Sequence, residues 1–137
     1  LVSTKRFVPA WRVQMCTYWK SQGFKVEPPE SYKPVNFIKV GATHFTDKRE
    51  IADQRNEVIG TQVGIMHHLS YARSDEEVLR KISTFSHVHQ MQPDWFERVW
   101  KGWDIDNSLR NLNPCWPEAY RCAVEQPPAA LPPVLRR

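Results

Sequence analysis

At 137 residues, with 41% hydrophobic and 25% charged side chains, the chain has the length and composition of one globular domain that buries a core without disulfide or metal staples. The net charge of +4 is spread along the chain, with Lys20, Lys25, Lys33, Lys39, Arg80 and Lys81 interleaved with acids. That pattern predicts a mildly basic solvated surface and argues against a nucleic-acid groove. No apolar run approaches the roughly 20 residues that cross a bilayer, and the N-terminus lacks the basic, apolar and small-residue regions of a signal peptide.

The three cysteines form no C-x-x-C unit and leave at least one thiol without an internal bridge, which points to a reducing, cytoplasmic setting. The chain starts at Leu1 and not at Met, which suits a processed or incomplete product. Six tryptophans exceed average usage and favour an aromatic core, with sugar or base stacking as the functional alternative.

In chain order, Val13 to Trp19 alternates apolar and polar residues imperfectly, and Phe24 and Val26 follow Gly23 before the break at Pro28-Pro29. This predicts strand, turn and short strand. Val35 to Val40, opened by Pro34 and closed by Gly41, is rich in β-branched and aromatic residues and is the best strand. Thr46 to Asn56 carries six charges with no apolar stripe and reads equally as a loop or a frayed helix. Val63 to Leu69 has the length of a buried strand.

Ser74 with Glu77 three residues on has the spacing of a capping box, and Asp75 and Glu76 favour the positive end of the helix dipole. The helix so opened is expected to run to about His87, with Val78, Leu79, Ile82 and Phe85 on one side. Asp94 and Glu97 repeat the spacing and predict a second capped helix, whose stripe of Trp95, Phe96, Val99, Trp100 and Trp103 belongs in a core or interface. Asp104 to Pro117 reads as loop and Glu118 to Val124 as a last helical turn or two. Pro127, Pro128, Pro132 and Pro133 suggest an extended tail. The expected fold class is mixed α/β, a short β-sheet with two capped helices, forming over residues 1–126 a single domain or the C-terminal part of a larger catalytic domain, with a Pro-rich tail over 127–137.

His67 and His68 lie in a predicted strand, where consecutive side chains point to opposite faces, so both cannot meet one metal ion. The plain reading places one in a core and one in solvent. His87 and His89 flank the end of the capped helix, and no histidine or cysteine spacing matches a structural zinc site. Asp104-Ile105-Asp106 spells a metal-binding Asp-x-Asp but comes after a Trp-rich helix instead of ending an apolar strand, so it reads as a loop. No dinucleotide fingerprint, P-loop or G-x-S-x-G is present.

The order of three segments carries a family resemblance: Met66-His67-His68-Leu69-Ser70-Tyr71, then Ser74-Asp75-Glu76-Glu77-Val78, then Lys81-Ile82-Ser83-Thr84-Phe85-Ser86-His87. Together they resemble the block that marks GT-A glycosyltransferases akin to the bisecting N-acetylglucosaminyltransferases and their bacterial relatives. Tyr18-Trp19-Lys20 and the Pro34 to Gly41 strand are similar to the family's segments upstream of that block, and Trp95-Phe96-Glu97-Arg98-Val99-Trp100 is similar to its downstream segment. The resemblance implies the C-terminal half of a GT-A fold, the acceptor-side part of an enzyme that uses a nucleotide sugar and a carbohydrate or other hydroxyl acceptor.

On that resemblance the complete parent uses a divalent metal, manganese or magnesium, which this chain alone does not hold tightly, and the chain alone is inactive. His68 is implied as a metal ligand, Trp19, Tyr71 and His87 as substrate-binding residues, and no catalytic residue is assigned. A homo-oligomer is compatible with the sequence. The alternative is a stand-alone carbohydrate-binding or structural module without catalysis, which would bind through Trp95, Trp100 and Trp103.

Overall fold

A computed structural model of the chain describes residues 7–46, 50–52, 55–107 and 109–136. The fold is mixed α/β and divides into two compact units, Leu1–Met15 with Tyr32–Met66, and Cys16–Ser31 with His67–Arg137. The strands form two sheets, not the one short sheet that the sequence suggests. Among the described residues no helix is long and apolar enough to cross a membrane.

In the first unit β1 (Ala10–Arg12) is the middle strand, antiparallel to β2 (Val35–Ile38) and parallel to β3 (Asn56–Val58). The Val35 to Val40 strand thus forms but stops at Ile38. Lys39 to Ala42 is a turn closed by Ala42 N–H donating to Lys39 O at 3.0 Å, and Gly41 within it takes φ 76°, which a side chain would strain. Ala10, Val35 and Ile51 make the core, with Ile38 against it. Polar stitching supports this small core. The Arg12 guanidinium donates to Asn56 Oδ1 at 2.9 Å, Lys33 O at 2.7 Å and Glu50 Oε2 at 3.2 Å. Of the segment read as loop or frayed helix, Ile51 is buried and Phe45 bridges to it, while residues 47–49 and 53–54 lie outside the described residues.

The second sheet has the order β6-β4-β5-β7, where β4 is Met15–Trp19, β5 Ser21–Glu27, β6 Met66–Tyr71 and β7 Cys122–Glu125. β4 and β5 form a tight antiparallel hairpin turned at Lys20, whose φ is 63°. Met66 N–H donates to Gln14 O at 2.9 Å and Lys20 N–H to Tyr71 O at 2.7 Å, so residue numbers rise together and β6 runs parallel to β4. β7 pairs antiparallel with β5, Phe24 opposite Glu125. Glu118 to Val124 is therefore not helical beyond a turn at Pro117–Ala119. The free edge of β5 offers backbone partners that outweigh weak local propensity.

Helix α1 spans Asp75–Thr84 and opens on the capping box its spacing predicts: Ser74 Oγ accepts from Glu77 N–H at 3.3 Å and Glu77 Oε2 from Ser74 N–H at 3.0 Å. It ends earlier than His87 because Phe85 turns extended after its N–H donates to Lys81 O. Val78 and Ile82 are buried, whereas Leu79 is half exposed.

The second capped helix is corrected. Phe96–Lys101 is a π-helical stretch without a side-chain cap, and Asp94 sits at φ 54° where its carboxylate makes no capping bond. The wide turn is closed by Gly102 N–H donating to Glu97 O at 3.1 Å. A Cβ on Gly102 would lie 2.5 Å from Arg98 O, so the close needs glycine. Trp95, Phe96, Val99 and Trp100 all turn inward onto Trp19, Tyr71, Leu112 and Tyr120.

Trp19 and Trp100 meet edge to face at 5.0 Å, Trp95 Nε1 donates to Leu112 O at 2.9 Å, and Trp100 Nε1 donates to Asp75 Oδ1 at 2.7 Å. The Pro-rich end is not extended. It makes two 3₁₀ turns, Pro128–Ala130 and Pro133–Leu135, around a buried Leu131, and Arg136 donates to Leu131 O at 2.7 Å.

Candidate functional site

Strand alternation along β6 separates the two neighbouring histidines. His67 is exposed and stacks on the Tyr18 ring at 5.9 Å, with its Nδ1 2.8 Å from the Tyr18 hydroxyl. His68 turns to the other face, where Ser70 follows it at the period of two and Thr17 reaches across from β4. Its Nε2 lies 2.7 Å from Ser70 Oγ and its Nδ1 3.2 Å from Thr17 Oγ1. Thr17 in turn donates to Glu30 Oε1, which is 3.8 Å from His68 Nδ1. Glu30 arrives from the segment after β5, beyond Pro28-Pro29.

One tautomer satisfies every group. With the proton on Nδ1, Ser70 O–H donates to Nε2, Nδ1–H donates to Thr17, and Thr17 O–H donates to the carboxylate. The imidazole side chain is 34% exposed and the Glu30 side chain 12%, so the run leads from a partly exposed imidazole to a nearly buried acid. Tyr120 also bonds Glu30, and its hydroxyl is pushed far above the ordinary phenol range, first by burial and then by that carboxylate.

The other residues singled out in the sequence fall differently. Trp19 is 0% and Tyr71 4% exposed. Both rings belong to the aromatic core and offer no face to a ligand, which corrects their reading as substrate-binding residues. Burial pushes the Tyr71 hydroxyl well up as well. Trp95 and Trp100 are fully buried and Trp103 packs against the same core, so the carbohydrate-stacking role imagined for this stripe is excluded for Trp95 and Trp100.

His87 is half-buried. Its ring meets Trp116 at 5.1 Å and Phe85 at 6.2 Å, and its Nδ1 lies 3.0 Å from Gln90 Oε1. Trp116 is 54% exposed, and Cys115 S–H donates to His87 O at 3.6 Å. Among the described residues His87 makes none of the hydrogen bonds of the His68 run.

The donor set around His68 does not make a divalent-metal site by itself. Both ring nitrogens already meet hydroxyls, the one nearby carboxylate is engaged by Thr17, and no three His, Cys, Asp or Glu side chains group together among the described residues. Such cations need several ligands at once. Asp104 and Asp106 form an exposed turn in which Asp106 N–H donates to Asp104 Oδ1 at 2.9 Å, a local bond that spends the first carboxylate on its own backbone.

Sequence reasoning missed Thr17, Glu30, Ser70 and Trp116. Ser70 was within reach, since two residues along a strand means the same face. Glu30 carries no local signal, because its place depends on how the chain leaves β5. No family model, curated protein or solved structure matches the chain.

Proposed function

We propose that the chain carries the acceptor side of a nucleotide-sugar-dependent glycosyltransferase, in which Glu30 takes up the proton of the acceptor hydroxyl through His68 and Thr17. The observation that supports this reading is the unbroken run Ser70, His68, Thr17, Glu30. A hydroxyl docking beside Ser70 would pass its proton to Ser70 Oγ while the Ser70 proton moves to His68 Nε2, the Nδ1 proton to Thr17 Oγ1 and the Thr17 proton to Glu30. The acceptor oxygen becomes the nucleophile and one proton rests on the acid. The resemblance assigns the nucleotide and its metal carboxylates to a preceding half, and the Glu30 to Ser70 run adds no metal step.

In a protein that contains both halves, Glu30→Gln and His68→Ala should lower kcat by about 10²-fold to 10⁴-fold, the usual share of general acid–base catalysis. His67→Ala should change it only a few-fold, because that ring leans on Tyr18 away from the run. Equal losses at the two histidines would mean that they are merely structural. The chain alone, given nucleotide sugars and manganese, should release no nucleoside diphosphate above background, and clear turnover would end the division of labour.

A second reading, a carbohydrate-binding module without catalysis, is favoured by one observation: the exposed Trp116 beside His87 has the amphipathic face that sugar rings stack on. On that reading Trp116→Ala abolishes saccharide binding while Glu30→Gln leaves it intact.

A further inference from the structure

Residues 111–112 and 120–121 lie side by side, Asn111 N–H donating to Arg121 O at 2.9 Å and Leu112 N–H to Tyr120 O at 2.8 Å. The pairing brings Arg110 and Arg121 to one cavity of about 510 Å³, lined among the described residues also by Pro28, Asn111 and Glu118. Asn111 holds φ 60°, a left-handed conformation that Asn tolerates better than most residues, and so turns the chain at the cavity wall.

These two guanidiniums differ from three others in the chain. Arg12 has three partners, Arg98 donates to Gln92 and Arg136 to two carbonyls. Among the described residues, Arg110 and Arg121 form no side-chain hydrogen bond or ion pair, although both line the cavity. Two arginines without protein partners on the lining of one polar cavity leave their charge to solvent or to an anion, and their planar forks match oxyanions in a bidentate way. Glu118 on the same wall would repel a bare anion. It suits a ligand that presents hydroxyls as well, since a carboxylate accepts from them. The volume lies within the range of small-molecule sites.

We propose that this cavity binds a hydroxylated phosphate monoester, a sugar phosphate in chemical class, with Arg110 and Arg121 on the phosphate and Glu118 and Asn111 on the hydroxyls. Its residues are distinct from the Glu30 to Ser70 run, and the site stands whether or not that run is catalytic.

Calorimetric titration of the chain with glucose 6-phosphate, inorganic phosphate, gluconate and glucose tests it. Glucose 6-phosphate should bind, inorganic phosphate about tenfold more weakly, and gluconate and glucose more weakly still. Arg110→Gln and Arg121→Gln should each weaken glucose 6-phosphate about tenfold or more, and added salt should weaken it further. Glu118→Gln should erase the preference for glucose 6-phosphate over inorganic phosphate.

Both arginines are exposed, so the variants should keep the wild-type melt. Should one unfold, Arg110→Lys and Arg121→Lys, which keep the charge and lose the fork, should bind between wild type and the Gln level. Absence of binding to any phosphate, gluconate binding as tightly as glucose 6-phosphate, or wild-type affinity in the double Gln variant or in both Lys variants would overturn the assignment.

Discussion

Around Ala10, Val35 and Ile51 the first unit closes a core of small and medium side chains, whereas the second surrounds Trp19 with Tyr71, Trp95, Trp100, Leu112 and Tyr120. The first leaves Phe37 56%, Val40 93% and Val63 75% exposed and relies on the Arg12 guanidinium to tie its segments together. The second hides Trp19, Trp95 and Trp100 completely and satisfies two indole N–H groups with Leu112 O and Asp75. The hydrogen-bonded run proposed to carry a proton lies in the well-packed unit, where strands β4 and β6 fix Thr17, His68 and Ser70. The orientation that the proposal requires depends on such support.

The contrast can be broken by substitution. Trp100→Ala should cost about 3–5 kcal/mol, since it empties the centre of the aromatic core and strands Asp75 without its indole donor. A thermal melt unchanged by it would refute that core. Val35→Ala should cost about 2 kcal/mol, the scale of one buried valine, because little else fills the first unit. Ser74→Ala removes half of the capping box and should cost about 1 kcal/mol in chemical denaturation. Phe37→Ala, on an exposed strand position, should stay within about 0.5 kcal/mol. A loss as large as that of Val35→Ala would show that this surface is covered in solution.

Acid sharpens the same contrast. Hydrogen bonds from Lys101 and then Trp100 hold the Asp75 carboxyl below its usual range, and the Ser74 backbone N–H does the same for Glu77. A depressed carboxylate pKa stabilises the fold above the ordinary value, about 4, and that stabilisation is lost as pH falls through the folded-state pKa. Asp75→Asn should therefore narrow the gap between melting temperatures at pH 7 and pH 3. An unchanged gap would show that Asp75 contributes nothing to the acid response.

Features set by nearby residues were legible in the sequence. The capping box, the Val35 strand and the opposite faces of His67 and His68 follow from spacing over a few residues. Asp94 misled, because it has the right spacing for a cap but its backbone turns left-handed to let the π turn bury Trp95 and Phe96 together. Glu118 to Val124 misled because β7 exists only through the edge of β5, about 95 residues away in sequence, as the Glu27 to Cys122 pairing illustrates. Trp19 and Tyr71 show the cost of reading aromatics as binding residues in a Trp-rich chain, where the same rings fill the core. Glu30 and Trp116 have meaning only in three dimensions.

The imidazole signals of the chain's five histidines give the most direct measurement of the proposed proton run. Titration with oligosaccharide acceptors, followed by two-dimensional NMR of the ring Cε1–Hε1 groups, reports whether a sugar hydroxyl reaches its end. His68 should shift with saccharide, Glu30→Gln should change the size of that shift, and His67 should move little. Shifts confined to His87, beside Trp116, or no shift at His68 with any saccharide, would contradict the proposed run.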